Sequence, residues 1–277
     1  MDFLKFLKTV ALAAAVVLPQ PVLASSDGPQ LPKQNWGFIG IFGQFDQAAL
    51  KRGARVTVEV CMACHSVKYI KFDQLKKIGF SESEVIALAE AQSRTKKDAM
   101  ISPMDPVAAK DSFGVMPPDL SLMTKARKGY EDYLYGILTG YLTDADRALV
   151  QRVMEDGALA EQELMEVASA LGVNAHQPER VKEVLQRIQA NENFNKYFPG
   201  NFFAMPQPLN DGAVTYPDGV ENSLKQMSSD VTTFLAWAAE PTLMERKELG
   251  VKVMLYLLVL TVMFYAVKRR IWAKVEH

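Results

Sequence analysis

Cys61-Met62-Ala63-Cys64-His65 is the stretch on which the reading of this chain turns, because C-x-x-C-H is the attachment signature of a c-type haem and both of the chain's 2 cysteines lie inside it. The spacing suits the chemistry. Two sulfurs about one helical turn apart can add to the two vinyl groups of one porphyrin, and the adjacent imidazole then meets the iron as an axial ligand. The implied cofactor is one covalent haem c, with His65 as a metal ligand. Other uses of the pair fare worse. Zinc wants four ligands, and beyond His65 the chain offers only His176 and His277, without ligand spacing. A thioredoxin-like dithiol would follow a buried strand in a βαβ unit, a pattern absent around residues 54–68.

Outward from the motif, a length of 277 residues at 49% hydrophobic composition allows one large domain or two small ones. Residues 1–24 read as a secretory signal, with Lys5 and Lys8 in the positive region, an apolar run over 9–18 and Val22-Leu23-Ala24 before Ser25. Asp2 and the lack of arginine before Arg52 argue for bacterial export over a mitochondrial transit peptide. Near the other end, residues 253–267 carry no charge, and the apolar run reaches back to Leu249 when Lys252 snorkels to the interface. The stretch 249–267, at about 1.5 Å per residue, spans roughly 28 Å, close to a bilayer core. Lys268, Arg269, Arg270, Trp272 and Lys274 then form the basic, aromatic-edged flank expected on a cytoplasmic face. The expected layout is a periplasmic domain (25–247) on the bacterial inner membrane, held by a single-pass anchor and short cytoplasmic tail (248–277). Removing the +1 of residues 1–24 and the +4 of residues 251–277 from the chain's net −1 leaves −6 on residues 25–250. Such a domain suits a basic protein partner through electrostatic steering and not nucleic acid, although a mild negative charge is also the ordinary solution to solubility.

Within the exported part the pattern is helical with proline- and glycine-rich loops. Residues 45–65 run as a helix opened by Asp46 and closed by the haem motif, and residues 81–93 open on a Ser81-x-x-Glu84 capping box. Residues 96–118 break into Ser-Pro, Asp-Pro and Pro-Pro steps that read as loop. Helical spacing resumes over 119–141, where Tyr130, Leu134, Ile137, Leu138 and Tyr141 share a face. A charged block, 143–191, divides at Asp156-Gly157 and at Gly172-Val173-Asn174 into two or three amphipathic helices. Their apolar faces carry Leu149, Val150, Val153 and Met154, then Leu164, Met165, Val167 and Ala168, then Val181, Val184, Leu185 and Ile188. Residues 191–219 read as a second aromatic and proline-rich loop, and 228–239 as a helix leading to Pro241, a first-turn residue for the anchor helix.

An electron-transfer haem is best six-coordinate, and methionine is the sixth ligand that keeps its potential high. Most of the 13 methionines sit on apolar helical faces. Two stand in proline-bounded loops: Met116 in Val115-Met116-Pro117-Pro118, and Met205 in Tyr197-Phe198-Pro199-Gly200-Asn201-Phe202-Phe203-Ala204-Met205-Pro206. Local reasoning leaves both open.

Several further blocks occur in a fixed order: Trp36-Gly37-Phe38, Phe42-Gly43-Gln44-Phe45-Asp46, Arg52-Gly53, the haem motif, Pro117-Pro118-Asp119-Leu120-Ser121, Ala126-Arg127, Glu131-Asp132-Tyr133, Leu138-Thr139-Gly140-Tyr141, the Met205 loop, and Trp237-Ala238-Ala239-Glu240-Pro241 running into Arg246-Lys247. Together they resemble the cytochrome c1 family, the haem subunits of cytochrome bc1 complexes, over most of residues 35–277. The resemblance implies an all-α, class I cytochrome c-like haem domain with extended loops, an inserted helical segment (143–191) and one C-terminal transmembrane helix. It implies Met205 as the distal ligand, Pro117 and Pro118 lining the haem pocket, and Arg127 on a haem propionate, a pairing suited to guanidinium chemistry. Two departures stand out. Thr57 occupies the place of a usual tyrosine, and Lys110 to Gly114 replace an Asn-Asn-Gly step.

The chain holds no acid–base or nucleophilic constellation, so it reads as an electron-transfer subunit with quinol oxidation placed elsewhere. The implied partners are cytochrome b, a Rieske iron–sulfur protein as donor, a cytochrome c as acceptor, and the membrane, within a dimeric complex. A free-standing membrane-anchored cytochrome or oxidase subunit is the first competing function, and a five-coordinate gas-binding or sensing haem protein the second, disfavoured because Met205 stands where a sixth ligand is expected.

Overall fold

The computed structural model describes residues 29–155 and 161–273. The reading of residues 1–24 as a secretory signal lies outside them, as does Lys274. In chain order the helices are α1 (Gln47–Glu59), α2 (Glu82–Ala91), α3 (Pro106–Phe113), α4 (Met123–Ala126), α5 (Tyr130–Thr139), α6 (Asp144–Glu155), α7 (Glu161–Leu171), α8 (Pro178–Gln189), α9 (Leu224–Ala239) and α10 (Leu243–Trp272). Tight 3-10 turns occupy Cys61–Ala63 and Phe72–Ile78, and β1 (Val67–Lys71) pairs antiparallel with β2 (Ala99–Met100). The fold is all-α with this one small strand pair among the described residues.

Two helices far apart in sequence make the central contact. α1 begins where the Asp46 carboxylate accepts the amides of Ala48 and Ala49, donors that the first turn leaves unpaired. It crosses α9 so closely that a Cβ on Gly53 would lie 2.0 Å from the Asp230 carbonyl oxygen and 2.8 Å from Phe234 Cβ. Beside it the buried Arg52 guanidinium donates from Nε and Nη2 to both carboxylate oxygens of Asp230, at 2.8 and 3.0 Å, and from Nη1 to Asp218 at 2.8 Å. The charges satisfy one another in a fork geometry, and removing either partner would strand the other in the interior. Around this lock Leu50, Ala54, Val58, Met62, Ile70, Phe72, Val231, Phe234 and Leu235 form the main core.

A second core belongs to α6, α7 and α8, where Val150, Val153, Leu164, Val167, Leu171, Val181, Val184 and Leu185 enclose Leu142 and Phe194. The expected break after α7 falls at Gly172, at φ 66, while the other, Asp156-Gly157, lies outside the described residues. Met165 departs from its expected apolar face and is largely exposed.

Other differences have local causes. The Asp105-Pro106 step read as loop starts α3: Asp105 caps the amides of Val107 and Ala108, Pro106 fills the first turn where no N–H is needed, and Gly114 ends the helix in the left-handed region. α4 and α5 are separated at Arg127 to Gly129, and Tyr130, at φ 52, points outward instead of sharing the face of Leu134. α9 begins four residues early because Ser223 caps it. Pro241 precedes the Thr242 cap, so it stands outside α10 and not in its first turn.

α10 is long and apolar enough to cross a membrane, and none of its residues is buried against the rest of the chain. Lys252 reaches back to Glu248 at 2.6 Å, and the Thr261 hydroxyl returns to the Leu257 carbonyl, as a hydroxyl in an apolar span must. At its base Glu240 pairs with Lys125 and Arg246, and Lys247 Nζ donates to the carbonyls of Phe38 and Gly43 at 2.6 and 3.0 Å.

Candidate haem site

α1 stops at Glu59, and the chain tightens into the turn that carries the cysteines, with the His65 amide returning to the Cys61 carbonyl at 2.8 Å. Cys61 and Cys64 are free, half-buried thiols. Burial pushes the Cys61 thiol up to about 12. A redox dithiol needs the opposite, a thiol drawn down by a cation or a helix N-terminus.

His65 Nδ1 lies 2.7 Å from the Pro118 carbonyl oxygen. A carbonyl only accepts, so Nδ1 must carry the proton, and the lone pair is left on Nε2. Burial holds the imidazole below its ordinary pKa, in the neutral form a metal needs. The orienting carbonyl is itself fixed. Leu120 N donates to Ser66 O at 2.8 Å, Lys68 N to Asp119 Oδ2 at 3.0 Å, and Tyr69 N to Ser121 Oγ at 3.1 Å, so residues 118–121 are strapped along the start of β1. On the other side Ser102 donates to Ser66 Oγ and to the Ala63 carbonyl. Ser102 fell within a stretch read only as loop, and no sequence signal singled it out.

Met205 arrives on a hairpin. Phe194 and Phe202 bridge, Asn195 N donates to Asn201 O at 2.7 Å, and the Asn193 side-chain amide to Ala204 O at 3.3 Å. The hairpin lies on α5 because two glycines make room: a Cβ on Gly140 would stand 2.6 Å from both Asn195 Oδ1 and the Tyr197 ring, and one on Gly136 would stand 3.2 Å from that ring. Asn195 Nδ2 donates to the Ile137 carbonyl and Lys196 N to the Gly140 carbonyl. Tyr141, expected on a helical face, instead follows the end of α5 and donates its hydroxyl to the carbonyls of Met205 and Pro206, at 3.1 and 3.2 Å. Its ring lies 5.8 Å from that of Phe203, which stacks on Phe198. Burial raises the Tyr141 pKa, so the phenol remains a donor at neutral pH.

The remaining candidates are more open. Pro117 is half-buried and Pro118 exposed, and Met116 is exposed on the same strap. Arg127 is exposed, donates to the Ala126 carbonyl and to the Tyr133 phenol oxygen, and has no carboxylate partner among the described residues. Thr57 is fully buried with its hydroxyl spent on the Gly53 carbonyl one turn back, so it offers the site no polar group.

This donor set fits a covalent haem: paired thiols in one turn, a neutral imidazole with Nε2 available, and a thioether on a braced loop. Exposed Ile101, Val115, Met116 and Leu122 lie on the segments that strap His65, an apolar surface suited to a macrocycle.

A model of the Cytochrome C1 family matches residues 36–275. "Cytochrome c1" of Rhodospirillum rubrum is 38% identical over 98% of this chain and 98% of its own length. "Cytochrome b-c1 complex catalytic subunit, mitochondrial" of Candida albicans is 31% identical over 92% of this chain and 81% of its own. "Cytochrome b/c1" of Bradyrhizobium diazoefficiens is 34% identical over 95% of this chain, which covers 39% of that longer protein.

Proposed function

The chain belongs to the Cytochrome C1 family, and from that premise we propose that it is the one-electron carrier subunit of a quinol:cytochrome c oxidoreductase, a cytochrome bc1 complex. Bound haem would supply the redox-active iron. Cys61 and Cys64 hold it through thioethers, His65 Nε2 and Met205 ligate it, Pro117 and Pro118 line its pocket, and Arg127 faces a propionate. Electrons enter from a Rieske iron–sulfur protein and leave to a cytochrome c, while quinol oxidation belongs to other subunits. A relative whose name joins cytochrome b to c1 in one protein supports cytochrome b as neighbour. In this reading the assembly sits in a bacterial inner membrane, with the haem domain, 25–247, in the periplasm, the C-terminus in the cytoplasm and two copies per complex, and the apolar length of α10 supports the membrane part of it. In this reading residues 1–24 are the export signal and 143–191 an insertion.

The observation that carries the proposal is the His65 Nδ1 bond to the Pro118 carbonyl beside two free thiols, because it presents an axial nitrogen where the thiols would fix a porphyrin. Its ligation is tested by Met205→Leu and Met116→Leu in the haem protein. The near-infrared sulfur-to-iron charge-transfer band disappears and the midpoint potential falls in the first and not in the second. The reverse result would assign the sixth ligand to Met116.

A further inference from the structure

Residues 34–45 contain no charged side chain, and in the middle of them Ile39, Ile41 and Phe42 are 60%, 69% and 84% exposed. The loop is built, not slack. Its stem is packed into the body, with Phe38 stacked on Phe45 at 4.6 Å and 5.9 Å from Trp36, whose indole donates to Asp132. Turns fix its tip: Ile39 N bonds Trp36 O, Gly43 N bonds Gly40 O, and Gln44 N bonds Gly37 O. The carbonyls of Phe38 and Gly43 both accept from Lys247. Lys247 stands two residues before Leu249, where the apolar run of α10 begins, so the loop is tied to the point at which the anchor would leave the bilayer.

We infer that loop 39–42 is a second, monotopic membrane contact, which seats Ile39, Ile41 and Phe42 among the headgroups and upper acyl chains beside α10. This rests on the reading of α10 as a membrane anchor. Three features favour lipid as the occupant. The apolar side chains form a projecting knob, not a groove awaiting a partner's side chain. The surface is continuous with the anchor through Lys247. The amides of Ile39, Gly43 and Gln44 and the carbonyls of Trp36, Gly37, Phe38, Gly40 and Gly43 are paired within the loop or with that lysine, which lowers the cost of entering a region short of water. A helix that pivots freely about its base would leave the haem domain's orientation loose. A second contact point would fix its tilt against the membrane plane.

The test uses the full-length haem protein in phosphatidylcholine–phosphatidylglycerol vesicles. Both native cysteines are consumed by haem, so Phe42→Cys or Ile41→Cys supplies a unique thiol for a nitroxide, and an unchanged haem spectrum certifies the fold. Leu257→Cys in α10 and Glu179→Cys on α8 serve as lipid and water references. The collision ratio of oxygen to a water-soluble nickel complex at Phe42 should exceed that at Glu179 several-fold and approach that at Leu257. A ratio equal to that at Glu179, with Leu257 reporting lipid, overturns the loop contact and leaves the anchor intact. A lipid-like or occluded signal that arises only in the whole complex assigns the knob to a partner protein and equally overturns it. Water accessibility at Leu257 would refute the anchor reading and the loop contact with it.

Discussion

Tyr141→Phe removes one hydroxyl and almost no volume, yet that hydroxyl is what ties the backbone at Met205 and Pro206 to the end of α5. A phenol has one proton, so the two distances of 3.1 and 3.2 Å describe one shared bond. Its loss costs about 1 kcal/mol as a net hydrogen bond, and somewhat more because a half-buried carbonyl is left unpaired. Taking about 1.4 kcal/mol, the equilibrium between detached Met205 and its proposed iron-ligated form shifts roughly tenfold. The ring contact with Phe203 survives the change, so the loop should remain folded. Carbon monoxide binding to the reduced protein reads the effect directly, since the gas competes only when the thioether leaves. The opening-limited binding rate should rise about tenfold, with the increase flat through neutral pH because the Tyr141 pKa is raised by burial and the group does not ionise there. A rate equal to wild type, in a sample where Met205→Leu binds the gas freely, would refute the claim that this hydroxyl positions the ligand.

Three other outcomes follow from the same structure. Arg127→Gln should lower the midpoint potential, because removing a positive charge favours the oxidised iron, and the effect should shrink as salt rises around this exposed group; redox titration at two ionic strengths checks it. Asp132 is pushed up by burial, but the Trp36 indole, the Lys33 ammonium and the Gln34 amide outweigh this and hold the carboxyl below its ordinary range. Its stabilisation is therefore present above the ordinary value of about 3.9 and lost as pH falls through the lower folded value. The urea stability gap between wild type and Asp132→Asn should close in acid, and a gap constant with pH would refute the assignment. Gly53→Ala places a methyl against the Asp230 carbonyl and should cost about 1–3 kcal/mol in a thermal or denaturant melt, without altering the haem spectrum of the molecules that remain folded.

What was legible in the sequence was whatever local chemistry or periodicity announces. Asp46, Ser81 and Glu84 cap the helices they were expected to start, and the three amphipathic faces of the charged block enclose a core. The failures occurred where one signal serves two structures. Asp105-Pro106 is both a turn step and a helix start, and only the capping bonds decide between them. Residues 67–71 became a strand because Val67 and Ile70 are covered by the main core while Val67 and Lys71 pair with Met100 and Ala99, a pairing that no window of local sequence contains. Tyr130 and Tyr141 fit helical spacing on paper, but a left-handed residue at one end and Gly140 at the other remove both from the face of α5.

The site divides the same way. The thiols and His65 are adjacent in sequence and could be read at once, whereas the groups that aim them are distant: the Pro118 carbonyl for the imidazole, and Tyr141 for the methionine loop. The block 143–191, whose role the sequence left open, bears on that loop. Phe194 at the base of the hairpin belongs to the second core, Arg180 Nη2 donates to the Gly200 carbonyl at 2.9 Å, the Arg187 guanidinium sits 3.9 Å over the Phe202 ring, and Lys196 pairs with Asp146 at 3.1 Å. His65 is braced by the first core and Met205 by the second. The proposed iron coordination thus depends on how two packing units meet, along the seam where Gly136 and Gly140 let Tyr197 lie against α5.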